Sequence, residues 1–288
     1  IFLGFHFFFL LASCNTKDTG KPYEVVGDWR HAGGDHSSAK YTNLDQINAD
    51  NFASLELVWR WRSADLLLPE GVGYGTADYR AVPLVIDGIM YVNTNHGMVA
   101  ALDAVSGKEL WLFDPQSYRY GPPIQTNIMI RGIEYWTDGE IARIFVATLG
   151  KQLLSIDAET GLPDLDFGED GYIDLSQNLG RLEFESNFIT AGAAPIAVGN
   201  SLIVGSKIFD YGMYNRSPPG HVRAYDAYTG QFKWRFNTIP QQGDDFTETW
   251  ENDSWRKMGN TNVWTFMSAD DEAGIVYLPI ATPTNDYW

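Results

Sequence analysis

Val82–Phe113, VPLVIDGIMYVNTNHGMVAALDAVSGKELWLF, is the stretch whose reading decides the fold. Val82–Ile86 is an apolar run that closes on the turn pair Asp87–Gly88, and Ile89–Thr94 is rich in β-formers before Asn95–His96–Gly97. Met98–Asp103 then runs into Ala104–Gly107, and Lys108–Phe113 follows as a short strand carrying Trp111. Short apolar runs bounded by Gly, Asn and Asp are the pattern of strands joined by tight turns. Asp103 and Gly107 bracket one such turn, where a short acceptor side chain and a residue tolerant of positive φ are both useful. Trp111 offers a wide flat surface to a neighbouring sheet. One sheet cannot bury both of its faces, so the unit should recur.

It recurs twice. Asp157-Ala-Glu-Thr-Gly161 follows the strand pair Ile144–Thr148 and Gln152–Ile156, and Asp226-Ala-Tyr-Thr-Gly230 follows His221–Tyr225 and precedes Trp234. The first and third copies read D-A-x-(S/T)-G-x-x-x-W, and the second lacks the tryptophan. The periods are lengthened by insertions at Asp114–Gly139 and Leu162–Ile189. Four-strand units repeating in this way predict an all-β fold of the β-propeller type, each unit a blade and each insertion a loop on one face. A β-sandwich with similar hairpins is the alternative.

Composition agrees with a large β domain. The chain has 288 residues, 44% of them hydrophobic, with ten Trp and 28 Gly. Its 20 basic against 37 acidic residues give a formal charge of −17, which argues against nucleic acid and anionic membrane surfaces as partners. The single cysteine, Cys14, directly follows the apolar run Ile1–Leu11 in FLLASC. That run is too short to span a bilayer but suits the apolar region of a signal peptide, and small residues before the cysteine fit a lipoprotein cleavage site. Residues 1–24 are therefore expected to be a signal segment and tether with Cys14 lipidated, on the periplasmic side of a membrane. The chain begins at Ile1 rather than Met, so a basic leader is expected to precede it.

Val26–Trp61 is an irregular lead-in: Asn48–Leu55 reads as a short helical turn with Asp50 as its N-cap, and Leu57–Trp61 as a lone strand of the kind that closes a propeller ring. Here the sequence resembles a known family. Gly27-Asp28-Trp29, Gly33-Gly34-Asp35, Lys40-Tyr41-Thr42-Asn43-Leu44, Gln46-Ile47-Asn48 and the Leu57–Trp61 run are similar to the opening of pyrroloquinoline-quinone (PQQ) dehydrogenases. The likeness continues through Arg131-Gly132-Ile133-Glu134-Tyr135-Trp136, Val204-Gly205-Ser206, Pro218–Asp226 and Asn260-Thr261-Asn262-Val263-Trp264 to Pro283–Trp288. It covers residues 25–288 and implies an eight-bladed quinoprotein propeller of which about the first four blades are present. An N-terminal portion of a longer protein is thus expected, with an open sheet edge where further blades belong.

The resemblance implies a site. Arg131 matches the arginine facing the quinone's reactive carbonyl and carboxylates, a role suited to a fixed bidentate cation; pairing with Glu134 or Asp138 is the alternative. Trp264 matches the tryptophan floor under the flat cofactor, with Asn262 and its neighbours Asn260 and Thr261 able to reach ring oxygens. The window where relatives place a vicinal disulfide or a histidine as roof holds Thr126 and Asn127 instead. Asp210 matches a ligand of the family's divalent ion, Ca²⁺ or Mg²⁺, with Thr282 or Thr284 standing where a further ligand is expected. His96 and His221 fall on no catalytic position of the family and are read as structural, and Gly243–Trp255 as a solvated acidic loop. The family's general base, an aspartate, would lie after Trp288.

These matches imply a PQQ-dependent dehydrogenase oxidising a sugar or alcohol, with hydride passing to the quinone and electrons to ubiquinone or cytochrome c. The alternatives are a non-catalytic lipoprotein propeller of the outer-membrane assembly type and a carbohydrate-binding propeller.

Overall fold

A computed structural model describes residues 27–72, 79–120, 130–180, 189–209 and 217–284. The expected lipidation site, Cys14, lies outside them. The first sheet is an antiparallel meander of β1 (Leu84–Ile86), β2 (Ile89–Asn93), β3 (Val99–Asp103) and β4 (Glu109–Phe113). The second repeats it with β5 (Glu134–Thr137), β6 (Ala142–Ala147), β7 (Gln152–Asp157) and β8 (Tyr172–Asp174). A ribbon of β9 (Ile189–Thr190) and β12 (Lys207–Ile208) flanks the third sheet, formed by β10 (Ile196–Val198), β11 (Ser201–Val204), β13 (Val222–Asp226) and β14 (Phe232–Phe236). A two-stranded hairpin of β15 (Ser268–Asp270) and β16 (Ile275–Tyr277) completes the series.

The turns are built as their residue types dictate. Asp87 and Gly88 both take positive φ, 49° and 78°, the geometry a two-residue hairpin needs to match strand twist. In each D-A-x-(S/T)-G turn one aspartate oxygen accepts twice from the residue three positions on. Asp103 Oδ1 takes the Ser106 amide at 2.7 Å and its hydroxyl at 2.6 Å, and Asp157 takes those of Thr160 at the same distances. Asp226 does likewise with Thr229, at 3.0 and 3.1 Å. The closing glycines Gly107, Gly161 and Gly230 stand at φ 70°, 73° and 72°, where any side chain is strained.

Those glycines also receive the neighbouring blade. A Cβ on Gly161 would lie 2.6 Å from the Trp111 ring, and one on Gly107 would lie 2.4 Å from the Trp59 ring. Each indole donates its N–H into the same turn: Trp111 Nε1 to the Ala158 carbonyl at 3.1 Å, and Trp59 Nε1 to the Ala104 carbonyl at 3.2 Å. The second repeat has no tryptophan to offer Gly230. There the Gly168 backbone fills the place, 2.7 Å from where a Cβ would stand, and Gly168 N–H donates to the Thr229 carbonyl at 2.9 Å.

Strand alternation divides the apolar residues between two faces. Val99 and Ala101 of β3 pack with Ile144, Val146, Leu154 and Ile156 of the second sheet, while Ala100 and Leu102 meet Trp59 and Trp61 of the lead-in. Phe145, Leu153 and Phe167 face Leu202, Val204 and Tyr225 across the next seam, and Ile203, Val222 and Ala224 meet Val263 and Met267 across the last. A sheet covered on both faces by its neighbours is a propeller blade.

Two local expectations are corrected. Leu57–Trp61 forms no strand ladder among the described residues, because a strand exists only when a neighbour hydrogen-bonds to it; its tryptophans dock on the first blade all the same. The helical turn near residue 50 is a 3₁₀ turn, Phe52–Ser54, preceded by Asn51 rather than capped by Asp50. Asn51 is engaged backwards, its Oδ1 accepting from the Asn48 amide at 2.8 Å and its Nδ2 donating to the Gln46 carbonyl at 2.6 Å.

Candidate active site

The chain entering β5 and the segment Gly259–Trp264 meet at the site. Arg131 is only 8% exposed, and its guanidinium carbon lies 4.5 Å from the centroid of the Trp264 ring. That is within cation–π range and brings together two residues far apart in sequence. Burial pulls the arginine's pKa down, and the neighbouring positive charge of Arg80 pulls it further, though a guanidinium stays charged regardless. Trp264 remains 42% exposed, so part of the indole is open to a flat ligand. The alternative partners of Arg131 are both committed elsewhere: Glu134 to two histidines, and Asp138 to the Tyr228 hydroxyl at 2.8 Å.

The Gly259–Trp264 segment is laced between two other chains. Asn260 N–H donates to the Pro218 carbonyl at 3.0 Å, Thr261 N–H to the Thr282 carbonyl at 3.1 Å, and Ser206 N–H to the Val263 carbonyl at 3.0 Å. From the far side, Ala281 N–H donates to the Asn262 carbonyl at 2.9 Å and Thr284 N–H to the Gly259 carbonyl at 3.1 Å. Asn260 and Thr261 are both held at positive φ, 62° and 50°. For a β-branched threonine that conformation stores strain on the order of 1–3 kcal/mol, which the surrounding hydrogen bonds hold in place. Glycines keep the crossing close: a Cβ on Gly205 would lie 2.1 Å from the Val263 carbonyl oxygen, and one on Gly220 would lie 2.4 Å from Asn262 Cα.

The polar atoms here are only half satisfied. Asn262 Nδ2 donates to the Ser206 carbonyl at 2.8 Å, but Asn262 Oδ1, Ser206 Oγ and Thr284 Oγ1 are buried with no hydrogen-bond partner among the described residues. An unmet buried group costs about 1–3 kcal/mol, so a ligand meeting these three oxygens would recover that cost, while others such as Ser155 Oγ and Thr148 Oγ1 lie inside the blades. Carbonyl and hydroxyl oxygens suit a hard divalent cation or the polar rim of a quinone. The two threonines are distinguished: Thr284 is buried with a free hydroxyl, whereas Thr282 is exposed and contributes its carbonyl to Thr261. The residues present therefore fit PQQ and a divalent ion. Thr126, Asn127 and Asp210 lie outside the described residues.

The two histidines read as structural have packing roles. His96 is buried beside Asp65, with Nδ1 3.2 Å from the carboxylate, and His221 Nδ1 accepts from the Thr238 amide at 3.0 Å. Gly243–Trp255 is largely exposed, with Trp255 tucked in under Arg256. A cavity of about 1,440 Å³ lies elsewhere, lined by Trp234, Phe236, Val276, Tyr277 and Leu278; neither Arg131 nor Trp264 lines it, and its apolar walls are blade flank rather than a site for chemistry. Sequence reading did not single out Ser206 as a site residue, for its place depends on the crossing at Val263.

Antiparallel meanders stacked face to face are the architecture of a β-propeller, here with a buried arginine laid over a part-open indole. Comparison with known proteins carries this further: residues 29–288 match the family described as the PQQ glucose/ethanol/alcohol dehydrogenase β-propeller domain, and the chain belongs to that family. It is 29% identical to quinate/shikimate dehydrogenase (quinone) of Acinetobacter baylyi over 93% of this chain and 34% of that protein. It is 30% identical to quinohemoprotein alcohol dehydrogenase of Comamonas testosteroni over 87% of this chain and 33% of that protein. The crystal structure of quinohemoprotein alcohol dehydrogenase from Comamonas testosteroni superposes with a TM-score of 0.71 at 26% identity, covering 89% of this chain and 36% of the other. The chain thus spans about a third of the length of the curated relatives it matches.

Proposed function

We propose that this chain supplies the cofactor-facing opening part of a PQQ-dependent dehydrogenase that oxidises a sugar or alcohol. In this reading electrons leave to ubiquinone or cytochrome c, and the protein is exported and held at the membrane through Cys14. The observation that carries the reading is Arg131, buried and laid 4.5 Å from the ring of Trp264, on the same segment as Asn262, whose Oδ1 is buried with no hydrogen-bond partner among the described residues.

Bound PQQ would supply a two-electron acceptor carbonyl, and Ca²⁺ or Mg²⁺ a hard Lewis acid. Trp264 would give the cofactor a flat apolar floor, and Arg131 a fixed cation for its carboxylates and for charge that builds on oxygen. Thr284, Thr282 and Asp210 are the proposed oxygen ligands of the metal, with Asn262 as a polar contact. Thr126 and Asn127 would cover the other face, an amide and a hydroxyl in place of a stacked ring or disulfide.

The test is to express the full-length reading frame, add PQQ with Ca²⁺, and follow dye-linked oxidation of aldoses and alcohols. PQQ should quench tryptophan fluorescence and raise Tm, and Arg131→Ala should abolish turnover. Absence of both quenching and a Tm shift in the unsubstituted protein overturns the proposal.

A further inference from the structure

The lead-in contains two histidines that the cofactor site does not use. His31 Nδ1 stands 3.2 Å from Glu134 Oε2, and His36 Nε2 stands 3.2 Å from Glu134 Oε1. One ligand atom from each of the three residues lies within 4.8 Å of the others. Glu134 is 3% exposed, at the start of β5 and three residues after Arg131. We propose that His31, His36 and Glu134 form a binding site for a divalent transition metal of the Zn²⁺ type, fastening the lead-in to the second blade.

The spacing fits the ion. Zinc bonds of about 2.0–2.1 Å at a tetrahedral centre place neighbouring ligand atoms roughly 3.3 Å apart; each histidine nitrogen stands 3.2 Å from a different Glu134 oxygen, so the carboxylate can be taken through one oxygen or both. The surroundings fit as well. Metal-bound histidines characteristically donate their other ring N–H to a carboxylate, and His36 Nδ1 lies 2.7 Å from Asp271 Oδ2. Glu134 is steadied in turn by the Ala197 amide, which donates to Oε1 at 2.9 Å.

Both ring nitrogens of His36 face carboxylates, Nε2 toward Glu134 and Nδ1 toward Asp271. His31 lies directly against it, ring centroids 3.5 Å apart and planes tilted by 36°. Two imidazoles on one tetrahedral ion stand with ring centres roughly 5 Å apart, so loading would draw the two rings out of this stacked contact. A cavity of about 260 Å³ lined by His31, His36, Tyr135 and Asp271 opens beside the cluster, giving an ion its entry and a water its place as fourth ligand. Two imidazoles select Zn²⁺, Ni²⁺ or Cu²⁺ over Ca²⁺, so the site is chemically distinct from the oxygen-lined one near Thr284. The crosslinks would span 103 and 98 residues of chain, tying down an otherwise irregular segment.

The test uses the full-length protein, stripped with chelator and returned to millimolar Ca²⁺ without PQQ. Zn²⁺ is titrated calorimetrically, and Co²⁺ is added as a visible-absorbing probe. Stoichiometric Zn²⁺ uptake and a Co²⁺ d–d band insensitive to Ca²⁺ are expected. Both should vanish in the His31→Ala/His36→Ala double variant. Asp271→Asn, on the rim and expected to fold normally, should weaken Zn²⁺ binding by about 10–100-fold. No Zn²⁺ binding by the unsubstituted protein, or binding unchanged in either variant, overturns the proposal and leaves a proton-bridged histidine–glutamate cluster.

Discussion

Replacing Gly161 with alanine tests how the blades are joined. Gly161 sits at φ 73°, where a Cβ costs roughly 1–2 kcal/mol in backbone strain. That Cβ would also stand 2.6 Å from the Trp111 ring, so the indole must retreat from the turn it docks on, and overpacking of this kind costs roughly 1–3 kcal/mol more. The sum, about 2–5 kcal/mol, is a large fraction of the ~5–15 kcal/mol that holds a folded protein together. Gly139 is the internal control, with φ 96° but nothing within 4 Å of its would-be Cβ, so Gly139→Ala should show only the backbone part. Urea unfolding of both variants, followed by circular dichroism, measures the difference. Trp111→Ala in the Gly161→Ala background should then cost less than in the wild-type background, because the clash has already loosened that contact. Equal destabilisation by the two glycine substitutions, or strict additivity with Trp111→Ala, would refute the docking account.

Thr284→Val removes an unmet buried hydroxyl, so it should raise the stability of the metal-free protein by about 1 kcal/mol while shrinking the stabilisation that added Ca²⁺ confers. Thr282→Val, at an exposed position, should change stability by less than about 0.5 kcal/mol in thermal melts. Arg131→Lys keeps the charge but loses the planar fork, and steady-state assays of the full-length enzyme should show kcat/KM reduced by about 100-fold or more. Burial pushes the Asp65 carboxyl up, but hydrogen bonds from His96 and Thr94 outweigh it and hold the group below its ordinary value. A carboxyl so depressed contributes stability that is present above about pH 4 and drains away as pH falls through the folded-state value, so Asp65→Asn should flatten the acid side of a stability–pH curve.

The repeat was legible because its chemistry is local. An aspartate that accepts from the residue three positions on, a glycine at positive φ and a tryptophan four residues later are close in sequence; the structure uses the aspartate and glycine in all three copies and Trp111 of the first, while Trp234 stands 41% exposed on the wall of the large cavity. Leu57–Trp61 was misread because pairing is a property of two strands, and only one was in view. The β9–β12 ribbon was missed because its strands are two residues each, too short for alternation to show. Arg131 and Trp264 were reached only through family resemblance, for nothing between them signals that the chain brings them together. His31 and His36 share a visible spacing, but Glu134 arrives from another blade, and no local pattern joins the three.

The Gly168 substitution at the third turn makes one joint unlike its neighbours. Between the first two blades an indole lies flat on a glycine. Between the second and third, Arg143 bonds the Ala227 and Tyr228 carbonyls at 2.8 and 2.7 Å and pairs with Asp164 at 2.6 Å. Both joints rest on a buried apolar seam, and at the second the largely buried Arg143–Asp164 pair, 15% and 19% exposed, is added to it. Salt screens a buried pair far less than an exposed one, so salting-out ions tighten both seams together, and the extra polar clasp stays with the second joint whatever the ionic strength.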